Sequence, residues 1–194
     1  MSNFRNFTPK RRVITKSVSS HRDYRDDLRL DFKCRCGYCN DIDKWRTQRF
    51  EVDHFVPRKH LTTISDTDYS NLVYSCRSCN NAKRAKWPTN NERIHNDNNI
   101  GFIDPCDDQY NNQFERLSDG KIKPKTTLGQ WMFIEMKLYK IQHEVIWLIE
   151  QCDILISEIE EYLNDNENNI ELSNSLLKLY QAYRSYTKQL SNYE

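Results

Sequence analysis

Apolar positions recur along the chain in different rhythms, and each rhythm predicts a different element. Between His21 and Lys33, Tyr24, Leu28 and Phe32 return at four-residue steps with charges between them. That spacing puts them on one face of a short amphipathic helix. Over residues 49–56 the rhythm becomes alternation, with Phe50 and Val52 apolar and Glu51 and Asp53 polar, which predicts a strand closed by Pro57. Residues 58–70 read as a loop, and Asn71–Ser75 is a short apolar stretch. From Cys79 to Lys86 the good helix formers Ala82, Lys83, Arg84 and Ala85 predict a helix. Residues 87–127 are rich in Asn, Asp and Lys. Ile100–Ile103 and a turn at Ser118-Asp119-Gly120 predict irregular strands or a hairpin there.

The last third changes rhythm again. Trp131, Leu138, Val145, Cys152 and Ile159 lie seven apart, as do Ile134, Ile141, Leu148, Leu155 and Tyr162. This a/d pattern predicts one long helix. A polar link at 164–169 breaks it, and Leu176, Leu179, Tyr183, Tyr186, Leu190 and Tyr193 define a second helix, giving an antiparallel hairpin. The stripe either closes within the chain's own fold or is reserved for a second copy or another protein. Residues 1–20 carry no periodicity and read as a basic arm or frayed end. The expected organisation is an N-terminal arm and helix over 1–30, a core over 31–90, an irregular β extension over 91–127 and a helical hairpin over 128–194. The class is α+β.

With 194 residues, the chain suffices for one domain with an appended helical piece, or for two small units. Hydrophobic residues are 37% and charged residues 29%, but aromatics at 12% supply core material, which argues against full disorder. No apolar run is long enough to span a membrane, and Met1–Lys16 lacks the apolar segment of a secretory signal, so a cytoplasmic location is expected. The net charge of +1 is asymmetric: residues 1–90 carry +9 and residues 91–194 carry −8. A basic half suggests a polyanionic partner. Lys10, Arg11, Arg12, Lys16, Arg22, Arg25 and Arg29 all precede the predicted strand.

Seven cysteines without an export signal disfavour a disulfide framework. Four of them form the Cys-x-x-Cys pairs Cys36/Cys39 and Cys76/Cys79. Two such pairs flanking an insert fit a tetrahedral structural Zn²⁺ site. Cys34 is a less regular competitor for that site. Cys152 falls on the helical stripe, and Cys106 is read as a small buried side chain. Between the pairs stands Glu51-Val52-Asp53-His54-Phe55-Val56-Pro57. Neighbours on a strand face opposite ways, so Asp53 and His54 can share a site only where the strand ends and turns.

The Cys36-Gly37-Tyr38-Cys39 knuckle, the Asp53-His54-Phe55-Val56-Pro57 block, Asn71-Leu72, and Cys76-Arg77-Ser78-Cys79-Asn80 with Lys83 together resemble the HNH endonuclease family and its ββα-metal fold, over roughly residues 31–87. The resemblance implies a metal-dependent endonuclease acting on nucleic acid, most readily DNA. His54 would be the general base, and Asn71 would brace the loop and orient it. Asp53 and Asn80 would hold a catalytic Mg²⁺ or Mn²⁺, and Lys83 and Arg84 would touch substrate. Asn80 stands where the family usually has histidine, which makes the ligand set harder. Glu51 is a candidate assistant, and His60 an alternative ligand. Trp87 would stack on a base or close the core. The same resemblance suggests a bacterial defence or restriction setting, with the C-terminal helices forming a homodimer or docking on a partner such as an ATPase. The rival reading is a non-catalytic, zinc-stabilised nucleic-acid-binding module using the same basic face.

Overall fold

The computed structural model describes residues 2–45, 49–165 and 169–193. It divides into two compact units, Met1–Tyr139 and Lys140–Glu194. No helix among the described residues is long and apolar enough to cross a membrane.

In the first unit, β1 (Ser2–Asn3) pairs antiparallel with β4 (Phe114–Arg116), which pairs with β5 (Ile122–Pro124). A 3₁₀ turn at His21–Tyr24 leads into α1 (Arg25–Asp31). Ser20 caps the turn: its side chain accepts from the Arg22 N–H, and the Asp23 side chain accepts from the Ser20 N–H. The expected stripe is the buried one, with Tyr24, Leu28 and Phe32 all in the core. β2 (Glu51–His54) and β3 (Leu72–Ser75) form an antiparallel pair with Glu51 opposite Ser75 and His54 opposite Leu72. α2 (Arg77–Lys83) follows, so the order is knuckle, strand, loop, knuckle, helix, as the sequence predicts.

The N-terminal stretch is packed, not a loose arm. Phe4 is buried against Tyr110 and Phe114. The buried Arg5 guanidinium donates to Asn111, the Gly37 carbonyl and the Pro105 carbonyl. An aromatic cluster of Phe55, Trp87, Phe102 and Trp131 closes the other side of the core, so Trp87 is a core residue with no face left for a base. The hairpin of β4 and β5 turns at Ser118–Gly120, where Gly120 takes φ of 86°.

The long C-terminal helix is broken where the heptads run on unbroken. α3 (Thr127–Glu135) ends at Met136, Lys137 adopts φ of 54°, and α4 (Ile141–Asp165) starts afresh. Met136 and Leu138 are both buried in the core of the first unit, so Trp131 and Leu138 belong there and not to the seam. In the second unit α4 packs against α5 (Ile170–Leu190), which Asn169 caps. The middle of the predicted link, 166–168, lies outside the described residues. On α4 the buried positions are Gln142, His143, Val145, Ile146, Ile149, Cys152 and Ile156, whereas Leu155 and Tyr162 are exposed.

Candidate active site

The chemistry-bearing strand is held between two neighbours, a cysteine cluster and α2. Cys36, Cys39, Cys76 and Cys79 are all buried, and their sulfurs lie within 4.8 Å of one another. The Cys39 and Cys76 sulfurs are 3.7 Å apart. A tetrahedron with Zn–S bonds of about 2.3 Å has edges of about 3.8 Å, so the cluster has the dimensions of a tetrahedral zinc site. Cys34 stands outside it. Each knuckle is a tight turn: Asn40 N–H donates to the Cys36 carbonyl, and Cys79 N–H donates to the Cys76 sulfur. Gly37 is required for space. A Cβ there would lie 2.7 Å from both the Phe32 ring and the Val73 side chain.

Tyr38, inside the first knuckle, reaches the strand directly. Its hydroxyl donates to Asp53 Oδ2 over 2.6 Å. Burial, with the Asp53 charge beside it, pushes the Tyr38 phenol pKa well up, so it remains a donor. The same Oδ2 receives Lys83 Nζ at 3.0 Å, and Lys83 also donates to the His54 carbonyl at 2.7 Å. Lys83 is fully buried. Its charge ties α2 to β2 and does not face a substrate, which corrects the role expected for it. Arg84 is exposed at the end of α2, where its Nε donates to the Asn81 carbonyl. It does not line the cleft described next.

That cleft, about 420 Å³ in volume, opens over β2. Glu51, Asp53, His54 and Asn80 line it together with His21, Arg22, Arg25, Arg49 and Arg58. Asn80 Nδ2 donates to Glu51, so the amide oxygen is turned away from that carboxylate. His54 lies at the strand end and shares the cleft with Asp53. Its Nε2 is 2.7 Å from the Asp66 carbonyl oxygen. A carbonyl only accepts, so Nε2 carries the proton and Nδ1 keeps the lone pair. Burial pushes the His54 pKa below the ordinary histidine value, against the raising effect of that hydrogen bond and of Asp53. The ring is therefore neutral at pH 7.

Asn71 makes no hydrogen bond to the His54 ring. It is buried, accepts from Val56 N–H at 2.8 Å and donates to the Val56 carbonyl at 2.9 Å, and its own carbonyl accepts from Phe55 N–H at 2.8 Å. It braces the chain just after His54, and the orienting contact comes from the loop carrying Asp66. Glu92 fastens that loop, accepting from Thr62 N–H, Thr63 N–H and the Thr62 hydroxyl. The Thr62 hydroxyl and the two amides hold its carboxyl down to about 2.

Glu51, a candidate assistant in the sequence, meets Asn80 across the strand–helix contact. Sequence reasoning passed over two other groups. Asp66 acts through its backbone, so its side-chain type carried no signal. His21 packs its ring 4.4 Å from that of His54, centroid to centroid. Burial and the nearby His54, Arg58 and Arg22 lower its pKa. The stripe of Tyr24, Leu28 and Phe32 predicts a helix beginning near His21 and carries no signal for a partner at His54.

The family model described as HNH endonuclease matches residues 36–86. Those residues are similar to an HNH endonuclease domain. Comparison with curated proteins and with solved structures gave no match. The matched region covers both knuckles, β2, β3 and α2, whereas His21, Arg22 and Arg25 lie outside it. An HNH domain implies action on nucleic acid and use of a divalent metal. The oxygen donors Glu51, Asp53 and Asn80, gathered in one cleft, fit a hard divalent ion.

Proposed function

We propose that the protein is a metal-dependent endonuclease that hydrolyses phosphodiester bonds, with DNA as its substrate. The observation that carries this reading is the His54 ring, whose Nε2–H is committed to the Asp66 carbonyl while its Nδ1 lone pair is left for a proton. Asp53 and Asn80, with Glu51 beside them, would hold Mg²⁺ or Mn²⁺. Such an ion supplies positive charge to offset the charge that builds on the phosphoryl and leaving oxygens.

The chain's own residues do the rest. His54, neutral at pH 7, takes a proton from the attacking water at Nδ1. The Asp66 carbonyl stabilises the imidazolium that results, because it accepts a hydrogen bond from a ring that is now cationic. Lys83 and Tyr38 hold Asp53 in place by donating to one of its oxygens. Asn71 keeps the chain after His54 from shifting. Water attack on phosphorus with loss of the 3′ oxygen leaves a 5′-phosphate and a 3′-hydroxyl. The zinc cluster is structural: it holds Tyr38 and α2 in place against β2.

The test is cleavage of supercoiled plasmid and of RNA by full-length, zinc-loaded protein with Mg²⁺ or Mn²⁺. DNA cleavage that requires the ion, and that falls by about 10²–10⁴-fold in His54→Ala, is the expected result. No cleavage of either polymer by folded protein would favour the binding-module reading. Cleavage of RNA alone would overturn the choice of substrate. A defence or restriction setting and docking on a second copy or an ATPase remain proposals by analogy, resting on the exposed Leu155, Tyr162, Leu177 and Tyr180 of the C-terminal helices.

A further inference from the structure

The N-terminal arginines divide into two groups with different environments. Those away from the cleft are engaged by carbonyls or by carboxylates that are themselves largely covered. Arg5 is buried among carbonyls. Arg11 makes a two-pronged contact with Asp104, at 2.9 and 3.0 Å. Arg12 holds Asp31, and Arg29 holds Asp43. The arginines that line the cleft are not neutralised in this way. Arg22 and Arg49 make no ion pair among the described residues, and both are exposed. Arg58 reaches Asp66 only at 3.9 Å, with side chains 64% and 52% exposed. Arg25 meets Asp26, whose side chain is 89% exposed. Ion pairs as open as these are worth about 0–1 kcal/mol.

The floor of the cleft cannot balance them. Against the four guanidiniums of Arg22, Arg25, Arg49 and Arg58 it sets Glu51, whose partner Asn80 is neutral, and Asp53, which already has Lys83 as its cation. Guanidiniums converging on one small cleft repel one another unless an anion joins them. A single phosphodiester carries one negative charge. Several guanidiniums contributed by separate segments match several consecutive phosphates instead.

We infer that Arg22, from the capped turn ahead of the matched region, and Arg58, from the turn after β2, form a phosphate-binding wall that grips the backbone phosphates flanking the scissile one. The wall rests on the nuclease reading for which phosphate is scissile, but not for its binding. It reads backbone and not bases, because guanidinium contacts to phosphate carry no sequence information. The ligand class is a polynucleotide strand, not a mononucleotide. Segment 20–25 is thus part of the substrate site although it lies outside the family's span.

The experiment separates binding from cleavage. Full-length, zinc-loaded His54→Ala protein is titrated with short labelled single-stranded DNAs of different sequence, from about 50 to about 200 mM salt. Arg22→Ala and Arg58→Ala are added to it singly and together. Both side chains are exposed and Arg22 makes no ion pair among the described residues, so folding is retained, which circular dichroism checks. Each substitution is expected to weaken binding about tenfold, the equivalent of one charged hydrogen bond. Each should also lower the slope of log affinity on log salt by about 0.7, equally for every sequence. Arg93→Ala, an exposed arginine that does not line the cleft, should change nothing. Unchanged affinity in the double variant, or a loss confined to one sequence, would overturn the wall. If wild-type protein binds through Arg22 and Arg58 yet never cleaves, the nuclease reading fails and the wall stands.

Discussion

Single atoms set the expected behaviour of the base. His54 acts only while Nδ1 is unprotonated, and burial favours that neutral form, so its pKa lies below the ordinary 6.5. The active fraction is therefore complete above that value and is lost as pH falls through the lowered pKa. A plot of single-turnover cleavage against pH, at saturating divalent ion, should be flat from neutral down to ordinary histidine values and fall only below them. A midpoint above 6.5 would mean that a different group is the base. Asn71 is tested by stability. Asn71→Ala leaves the Val56 N–H and carbonyl buried without partners and should cost about 1–3 kcal/mol in urea unfolding. At this scale the sequence was legible where side-chain type is the signal: His54, Asp53, Asn80 and the four cysteines stand in one small region. It was not legible where the backbone acts, as at Asp66, or where long-range folding supplies the neighbour, as with His21 against His54.

The contact between α2 and β2 decides whether the donors stay aligned, and its centre is a buried ion pair. Lys83→Met would leave the Asp53 carboxylate without its cation and should destabilise by about 3–5 kcal/mol. Adding Asp53→Asn should restore much of that stability while leaving cleavage abolished. If Lys83→Met alone unfolds at the wild-type urea midpoint, the pair does not anchor the helix. The strand–loop–knuckle–helix order was readable because alternation and Cys-x-x-Cys spacing are local signals. The C-terminal helices were only half readable. Val145 and Cys152 are buried as the heptads require, but the second row is Ile149 and Ile156 in place of Leu148 and Leu155. Adjacent apolar pairs at those positions satisfy either row, and only packing chooses between them. The break at Lys137 carries no Gly or Pro, because it is imposed by the burial of Met136 and Leu138.

Across the whole molecule, the basic excess of residues 1–90 overstated the surface available to a polyanion. Arg11, Arg12, Lys16 and Arg29 are spent on Asp104, Asp31, Asp27 and Asp43, whereas Arg22, Arg25, Arg49 and Arg58 line one cleft. The first unit is also organised around its four-cysteine cluster, whose dimensions match zinc. The first knuckle is tied to β3, to β2 and to the turn carrying Tyr110, through Gly37 N–H on the Tyr74 carbonyl, Tyr38 on Asp53 and the Tyr110 hydroxyl on the Tyr38 carbonyl. A structural zinc of this kind contributes about 10–16 kcal/mol to folding, comparable with the whole stability of a domain at about 5–15 kcal/mol. Removing zinc with a chelator should therefore abolish the near-ultraviolet signal of the buried Tyr38, Tyr110 and Trp87, together with cleavage, even after Mg²⁺ is returned in excess. Restoring zinc should recover both. Helical far-ultraviolet signal from Ile141–Asp165 and Ile170–Leu190 should survive in part, because those helices pack on each other and close their hydrogen bonds internally. A chelated protein that keeps its aromatic signal would mean that the cysteines hold the knuckles by packing alone, and that the metal they match is not needed for the fold.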